Sequence, residues 1–203
     1  MSLKHKIPIA LILSRLVIGF VLIMLSLLDI AHFKWIALTL VSFGLLSDIF
    51  DGIIARKLNI SNQKLRRLDS SVDQVFFICT AIAAYLHCPA FFSDNFLKIG
   101  ILLGFEALCY IVSFVKFRKE IATHSIGAKI WTLFLFATLV QVIAQCRSGI
   151  VFELCFWIGL VSRAEIIAII LVLKKWTNDV PSIVHAFQLR KDKPIKRNKL
   201  FNG

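Results

Sequence analysis

Six apolar runs, Ile7–Leu28, Trp35–Ala55, Leu68–His87, Phe96–Val115, Ile126–Gln145 and Ile150–Leu173, leave little of this sequence for anything else. A helix needs about 20 apolar residues to cross a bilayer, and each run is long enough. Without water in the hydrocarbon, the backbone must satisfy its own hydrogen bonds, which for an open chain means helices. The expected fold is therefore an all-α integral membrane protein with six transmembrane helices. Composition agrees, since 58% of the residues are hydrophobic and 18% charged, too few for the surface of a water-soluble domain of 203 residues. One membrane domain, residues 1–177, followed by a basic cytoplasmic tail, 178–203, is expected. The start, Met1–Lys6 before an apolar run, imitates a signal peptide, but the run reaches Leu28 without a small-residue cleavage site. It reads as a retained first span.

The net charge of +12 is placed for a membrane rather than for nucleic acid. Lys4 and Lys6 precede the first run, and Lys57, Lys64, Arg66 and Arg67 lie between the second and third. Lys116, Arg118, Lys119 and Lys129 surround the connection from the fourth to the fifth, and the tail from Lys174 to Lys199 is densely basic. The alternate connections carry only Lys34, Lys98 and Arg147, with Asp29, Asp94 and Glu153 among them. Cytoplasmic loops hold the excess of Lys and Arg, so both termini are expected in the cytoplasm. No soluble basic face with aromatic platforms is visible, which argues against nucleic acid as a partner. Cys79, Cys88, Cys109, Cys146 and Cys155 sit in or beside the apolar runs with no CxxC pair or metal-type spacing. They read as small apolar packing residues.

Chemistry concentrates between Ser47 and Gln74. The second run ends Ser47-Asp48-Ile49-Phe50-Asp51-Gly52, and the third opens Leu68-Asp69-Ser70-Ser71-Val72-Asp73. On a helix, i and i+3 lie about 60° apart and i and i+4 about 40° apart, so each pair of carboxylates shares a face. The connecting loop is short and both helix ends are on one side of the membrane, so the pairs can face each other at one depth. Four such carboxylates stay ionised together only around cations, and an all-oxygen site suits hard divalent ions such as magnesium, manganese or calcium. Without His or Cys in the set, zinc is disfavoured. Taken singly, Asp69 also reads as a helix-capping acid. Asp48 and Asp51 also read as partners of Arg56, Arg66 or Arg67.

The run D-x-x-D-G-x-x-A-R, then eight residues, one position, and x-x-x-D-x-x-x-D resembles the signature of the CDP-alcohol phosphotransferases, also called CDP-alcohol phosphatidyltransferases. It is carried here by Asp48, Asp51, Gly52, Ala55, Arg56, Asp69 and Asp73, with Leu65 where the family has glycine and Gln74 where lysine often follows the last Asp. Pro8, Leu11 and Arg15 match the P-N-x-L-T-x-x-R with which members often begin, while Ile9 and Ile12 replace its polar positions. Ala128, Lys129, Trp131 and Thr132 partly match a motif that opens the fifth helix.

The resemblance implies a phospholipid-synthesising enzyme that transfers a phosphatidyl group from a CDP-linked lipid such as CDP-diacylglycerol to an alcohol acceptor and releases CMP. It implies metal sites at Asp48, Asp51, Asp69 and Asp73 for Mg2+ or Mn2+, with Asp73 as catalytic base. It also implies nucleotide or phosphate contacts at Gly52, Ala55 and Arg56, and a homodimer. Gly52 and Ala55 also read as small residues in helix packing, and Arg56 as a flanking cation. Glu106, Arg163 and Glu165 are charges inside apolar runs. They read as an ion pair within the bundle, or, for Arg163 with Lys129, as contacts to the phosphate of an acceptor such as glycerol 3-phosphate. The expected setting is a bacterial inner membrane with the site facing the cytoplasm. Two other classes use fewer of these residues: a non-catalytic lipid-binding or scaffold relative, for which Leu65 speaks, and a cation transporter, against which the one-sided placement of the acids speaks.

Overall fold

The computed structural model describes residues 3–28, 30–58, 63–119, 121 and 125–193, apart from the side chains of residues 3–6, 56, 63 and 64. These residues form eight helices and no strand: α1 (Leu3–Leu27), α2 (Phe33–Lys57), α3 (Gln63–His87), α4 (Pro89–Asp94), α5 (Phe96–Phe117), α6 (Ile126–Gln145), α7 (Ile150–Val172) and α8 (Ile183–Arg190). Five of them, α1, α2, α5, α6 and α7, are long and apolar enough to cross a membrane. The third expected span is also a single helix of 25 residues, about 37 Å at 1.5 Å per residue. Its first half carries Arg66, Arg67, Asp69 and Asp73, which lowers its mean hydropathy below that of the other five.

The chain divides into two contact units, Met1–Ser93 with Leu139–Ser148, and Asp94–Thr138 with Gly149–Gly203. In the first, α1 packs against both α2 and α3. Small residues let the helices approach closely, as membrane helices without a hydrophobic drive between them require. A Cβ added to Gly19 of α1 would stand 3.0 Å from the Cβ of Cys79 on α3, and one added to Gly44 of α2 would stand 2.5 Å from the Phe76 ring. Ile12, Leu22, Ala37, Val41, Ala83 and Ala84 are buried around these contacts, while Val17, Phe20, Met24 and Phe43 point outward, where lipid is the solvent. Gly44→Val is therefore expected to overpack the α2–α3 contact. A loss of about 1–3 kcal/mol is the usual cost of extra methylenes in a filled core. A lower melting temperature in detergent would show it; an unchanged one would place Phe76 elsewhere.

Two of the five cysteines depart from the sequence reading. Cys88, between α3 and α4, and Cys146, directly after α6, form a disulfide, whereas Cys79, Cys109 and Cys155 are buried thiols. In the second unit, α5 packs on α7 and α7 on α8. The first residues of the tail are not simply solvated: Val180 and Ala186 are fully buried with Ile169 and Leu173. Lys98 pairs with Glu153.

Candidate active site

The acids of α2 and α3 converge on one residue of α1. Arg15 is completely buried, and its guanidinium touches all four aspartates. Nη1 donates to Asp48 Oδ1 at 2.8 Å and to Asp73, and Nη2 donates to Asp69 Oδ1 at 2.5 Å and to Asp51. Arginine suits this place because its planar fork presents several donors in fixed directions. The third donor, Nε, is buried with no hydrogen-bond partner among the described residues.

Local sequence explains how the acids arrive there. Asp48 and Asp51 lie one turn apart on α2, and Asp69 and Asp73 one turn apart on α3, so each helix presents a pair to its neighbour. A polar seam sets the register of α2 on α1. Ser47 Oγ donates to the Leu11 carbonyl at 2.9 Å, Ser14 Oγ donates to the same carbonyl at 2.7 Å, and the two hydroxyls lie 3.3 Å apart. Ser47 immediately precedes Asp48, and Arg15 immediately follows Ser14. The seam thus brings the guanidinium and the first carboxylate to one depth.

The four acids are not equivalent. The Asp51 side chain is 4% exposed, whereas those of Asp48, Asp69 and Asp73 are 40%, 32% and 31% exposed. One carboxylate oxygen from each of these three lies within 4.8 Å of the other two. Asp51 thus forms the floor, and the other three form an open rim.

This arrangement suits a divalent cation. All the donors are hard oxygens from carboxylates, the chemistry that magnesium and manganese prefer. One positive charge on Arg15 set against four negative charges leaves the cluster net negative. Asp48, Asp69 and Asp73 remain partly exposed around Arg15.

The other expected site residues fall as follows. Gly52, half-buried, and Ala55, buried, continue α2 beyond Asp51. The side chain of Arg56 lies outside the described residues. Leu65 is half-buried one turn before Asp69. Lys129 and Arg163 belong to the second contact unit. There Arg163 is 5% exposed; its Nε and Nη2 both reach Glu106 Oε2 at 2.7 Å, and its guanidinium lies 3.5 Å from the centroid of the Trp131 ring. The intrabundle ion pair expected for this arginine is formed, with Glu106 as the partner.

Arg15 is what the sequence reading left out of the site, although it matches the N-terminal motif. A single arginine in the middle of an apolar run was the available signal, because an ionised side chain at that depth requires a counter-charge.

Comparison with known proteins agrees with the geometry. The chain is 33% identical over 179 residues to the CDP-diacylglycerol--glycerol-3-phosphate 3-phosphatidyltransferase of Aquifex aeolicus (strain VF5), covering 85% of this chain and 93% of that one. No solved structure matches the chain at a significant level. The sequence profile of the CDP-alcohol phosphatidyltransferases matches residues 5–177, a stretch that contains Arg15 and all four aspartates, and the chain belongs to that family.

Proposed function

We propose that this protein transfers a phosphatidyl group from CDP-diacylglycerol to a glycerol 3-phosphate-like acceptor in a metal-dependent reaction that releases CMP. The observation that carries this reading is the convergence of Asp48, Asp51, Asp69 and Asp73 on the guanidinium of Arg15, with carboxylate oxygens of Asp48, Asp69 and Asp73 within 4.8 Å of one another. The activity for which the Aquifex relative is named supports the choice of donor and acceptor.

In this reading Asp48, Asp51, Asp69 and Asp73 hold one or two ions of Mg2+ or Mn2+. These ions, when bound, supply positive charge against the pyrophosphate of the CDP-lipid. Gly52 and Ala55 leave room for the nucleotide along α2, and Arg56 holds a phosphate. Asp73 lies on the open rim and takes the proton from the acceptor hydroxyl as that oxygen attacks the phosphorus of the phosphatidyl group. The bond from that phosphorus to the bridging oxygen then breaks, and CMP leaves with the oxygen. Lys129 and Arg163 are proposed in addition for the acceptor's phosphate.

The setting follows from the loop charges. We place α3 as a sixth crossing with its acidic end in the cytoplasm. Both termini lie on that same side, and the basic tail, residues 178–203, follows the catalytic domain, residues 1–177. A homodimer in a bacterial inner membrane completes the proposal.

Purified protein supplied with radiolabelled CDP-diacylglycerol and a panel of glycerol 3-phosphate, inositol phosphate, serine and glycerol tests the reading. CMP release with glycerol 3-phosphate, stopped by a chelator and restored by Mg2+ or Mn2+, is the expected result. CMP release only with another alcohol would change the acceptor. No CMP release with any of them would favour the non-catalytic lipid-binding reading.

A further inference from the structure

We infer that the Cys88–Cys146 disulfide is a native cross-link formed on the extracytoplasmic face of the membrane, at the end of the first contact unit opposite the aspartates. The inference rests in part on the reading of the aspartate end as cytoplasmic. Its test reads sidedness through thiol chemistry rather than loop charge.

The placement follows from helix geometry. Cys88 directly follows α3, fifteen residues after Asp73, which is about 22 Å along a helix and most of a hydrocarbon core of about 30 Å. Cys146 directly follows α6, and the two Cα atoms are 5.1 Å apart although 58 positions separate them in sequence. Around this end stand the features of a membrane–water boundary. Trp35, at the start of α2, and Tyr85, near the end of α3, are both exposed, as the interfacial aromatic belt expects. The Phe33 ring lies 4.8 Å from the ring of His87. The bond is thus built into a packed helix end near water. Cys79, Cys109 and Cys155, by contrast, are buried thiols within their helices.

Disulfides form and persist where the compartment is oxidising, and thiols in the cytoplasm are kept reduced. The chemistry is thiol–disulfide exchange with an extracytoplasmic oxidant that itself carries a disulfide. One thiolate of the pair attacks a sulfur of the oxidant, giving a mixed disulfide and releasing the first oxidant thiol. The second thiolate then attacks the mixed disulfide, closing Cys88–Cys146 and releasing the second. Two electrons and two protons pass from the pair to the oxidant, which leaves as a dithiol.

The fold has a provision for the reduced state. Cys88 Sγ lies 3.4 Å from the carbonyl of Val142, so a thiol at this buried position, or the hydroxyl of a serine, has an acceptor within the same unit. Cys88→Ser is therefore expected to fold, leaving Cys146, which is exposed, as a single accessible thiol.

Thiol counting and sided labelling test the inference on the full-length protein in cells. Denatured without reductant, the wild type is expected to show three reactive thiols, and five after reduction; five without reductant would overturn the cross-link. In intact spheroplasts an impermeant maleimide is expected to add one label per chain, at the exposed Cys146, only after a membrane-impermeant phosphine. Cys88→Ser is expected to take one label without any reductant. Labels that appear only after the membrane is permeabilised would overturn the extracytoplasmic placement. Neither outcome depends on CMP release, so failure here is separable from failure of the proposed reaction.

Discussion

Asp73→Asn is expected to lower CMP release from CDP-diacylglycerol by about a thousandfold or more. General-base catalysis alone accounts for about 10²–10⁴ in rate, and loss of a carboxylate from the metal cluster adds to that. Asparagine keeps the volume and can still accept a hydrogen bond from Arg15, so the packing of α3 on α1 should survive. The melting temperature in detergent should accordingly stay within a few degrees of wild type. Saturating Mn2+ should not restore turnover, because occupancy of the cluster does not replace the missing base. Turnover within tenfold of wild type would remove Asp73 from the role of base. A rate recovered fully by high Mn2+ would reassign it as a metal ligand alone.

Arg15→Ala is expected to act on the assembled bundle as strongly as Asp73→Asn acts on the rate. Removing one partner of a buried ion pair typically costs about 3–5 kcal/mol, because the remaining charge keeps its desolvation penalty. The lower end applies here, since three of the four carboxylates are partly exposed and water screens them. The metal-free variant should therefore melt well below wild type. Mg2+ or Mn2+ should raise its melting temperature more than that of wild type, since stabilisation by a bound ion grows with the logarithm of its affinity for the folded state and the competing internal cation is gone. Arg15→Lys should fall between the two, because a single ammonium cannot contact four carboxylates with a planar fork. A metal-free Arg15→Ala protein as stable as wild type would show that the guanidinium is incidental to the cluster.

The acidic pairs were legible because their cause is local. Three and four residues of separation on a helix fix a shared face, and a short loop between two helices fixes a shared end. The same locality made the helix ends readable to within a few residues, as with Ile126–Gln145, which matches α6. Arg15 lies 33 positions from Asp48 and 58 from Asp73, and no local rule pairs residues at that distance. The pairing depends on the depth at which α1 meets α2, which the Ser14, Ser47 and Leu11 hydrogen bonds set. Cys88 and Cys146 pose the same problem, since each directly follows a helix, α3 and α6, and neither has a partner at a telling spacing. The partner of Arg163 was open for a different reason. Glu106 and Glu165 are both acids within apolar runs, and the choice between them is made by the packing of α5 on α7.

Order of synthesis gives the Arg15 cluster a further meaning. The chain emerges from its N-terminal end, so α1 is already in the membrane when α2 and α3 follow. A helix end that carries two carboxylates is a poor candidate for insertion alone. Here each acid-bearing helix meets a guanidinium, and α2 also meets the carbonyl of Leu11, on a helix that has arrived before it. α1 therefore offers both acid-bearing helices a counter-charge that precedes them in the chain, and without Arg15 four acids would come together with no internal cation among them.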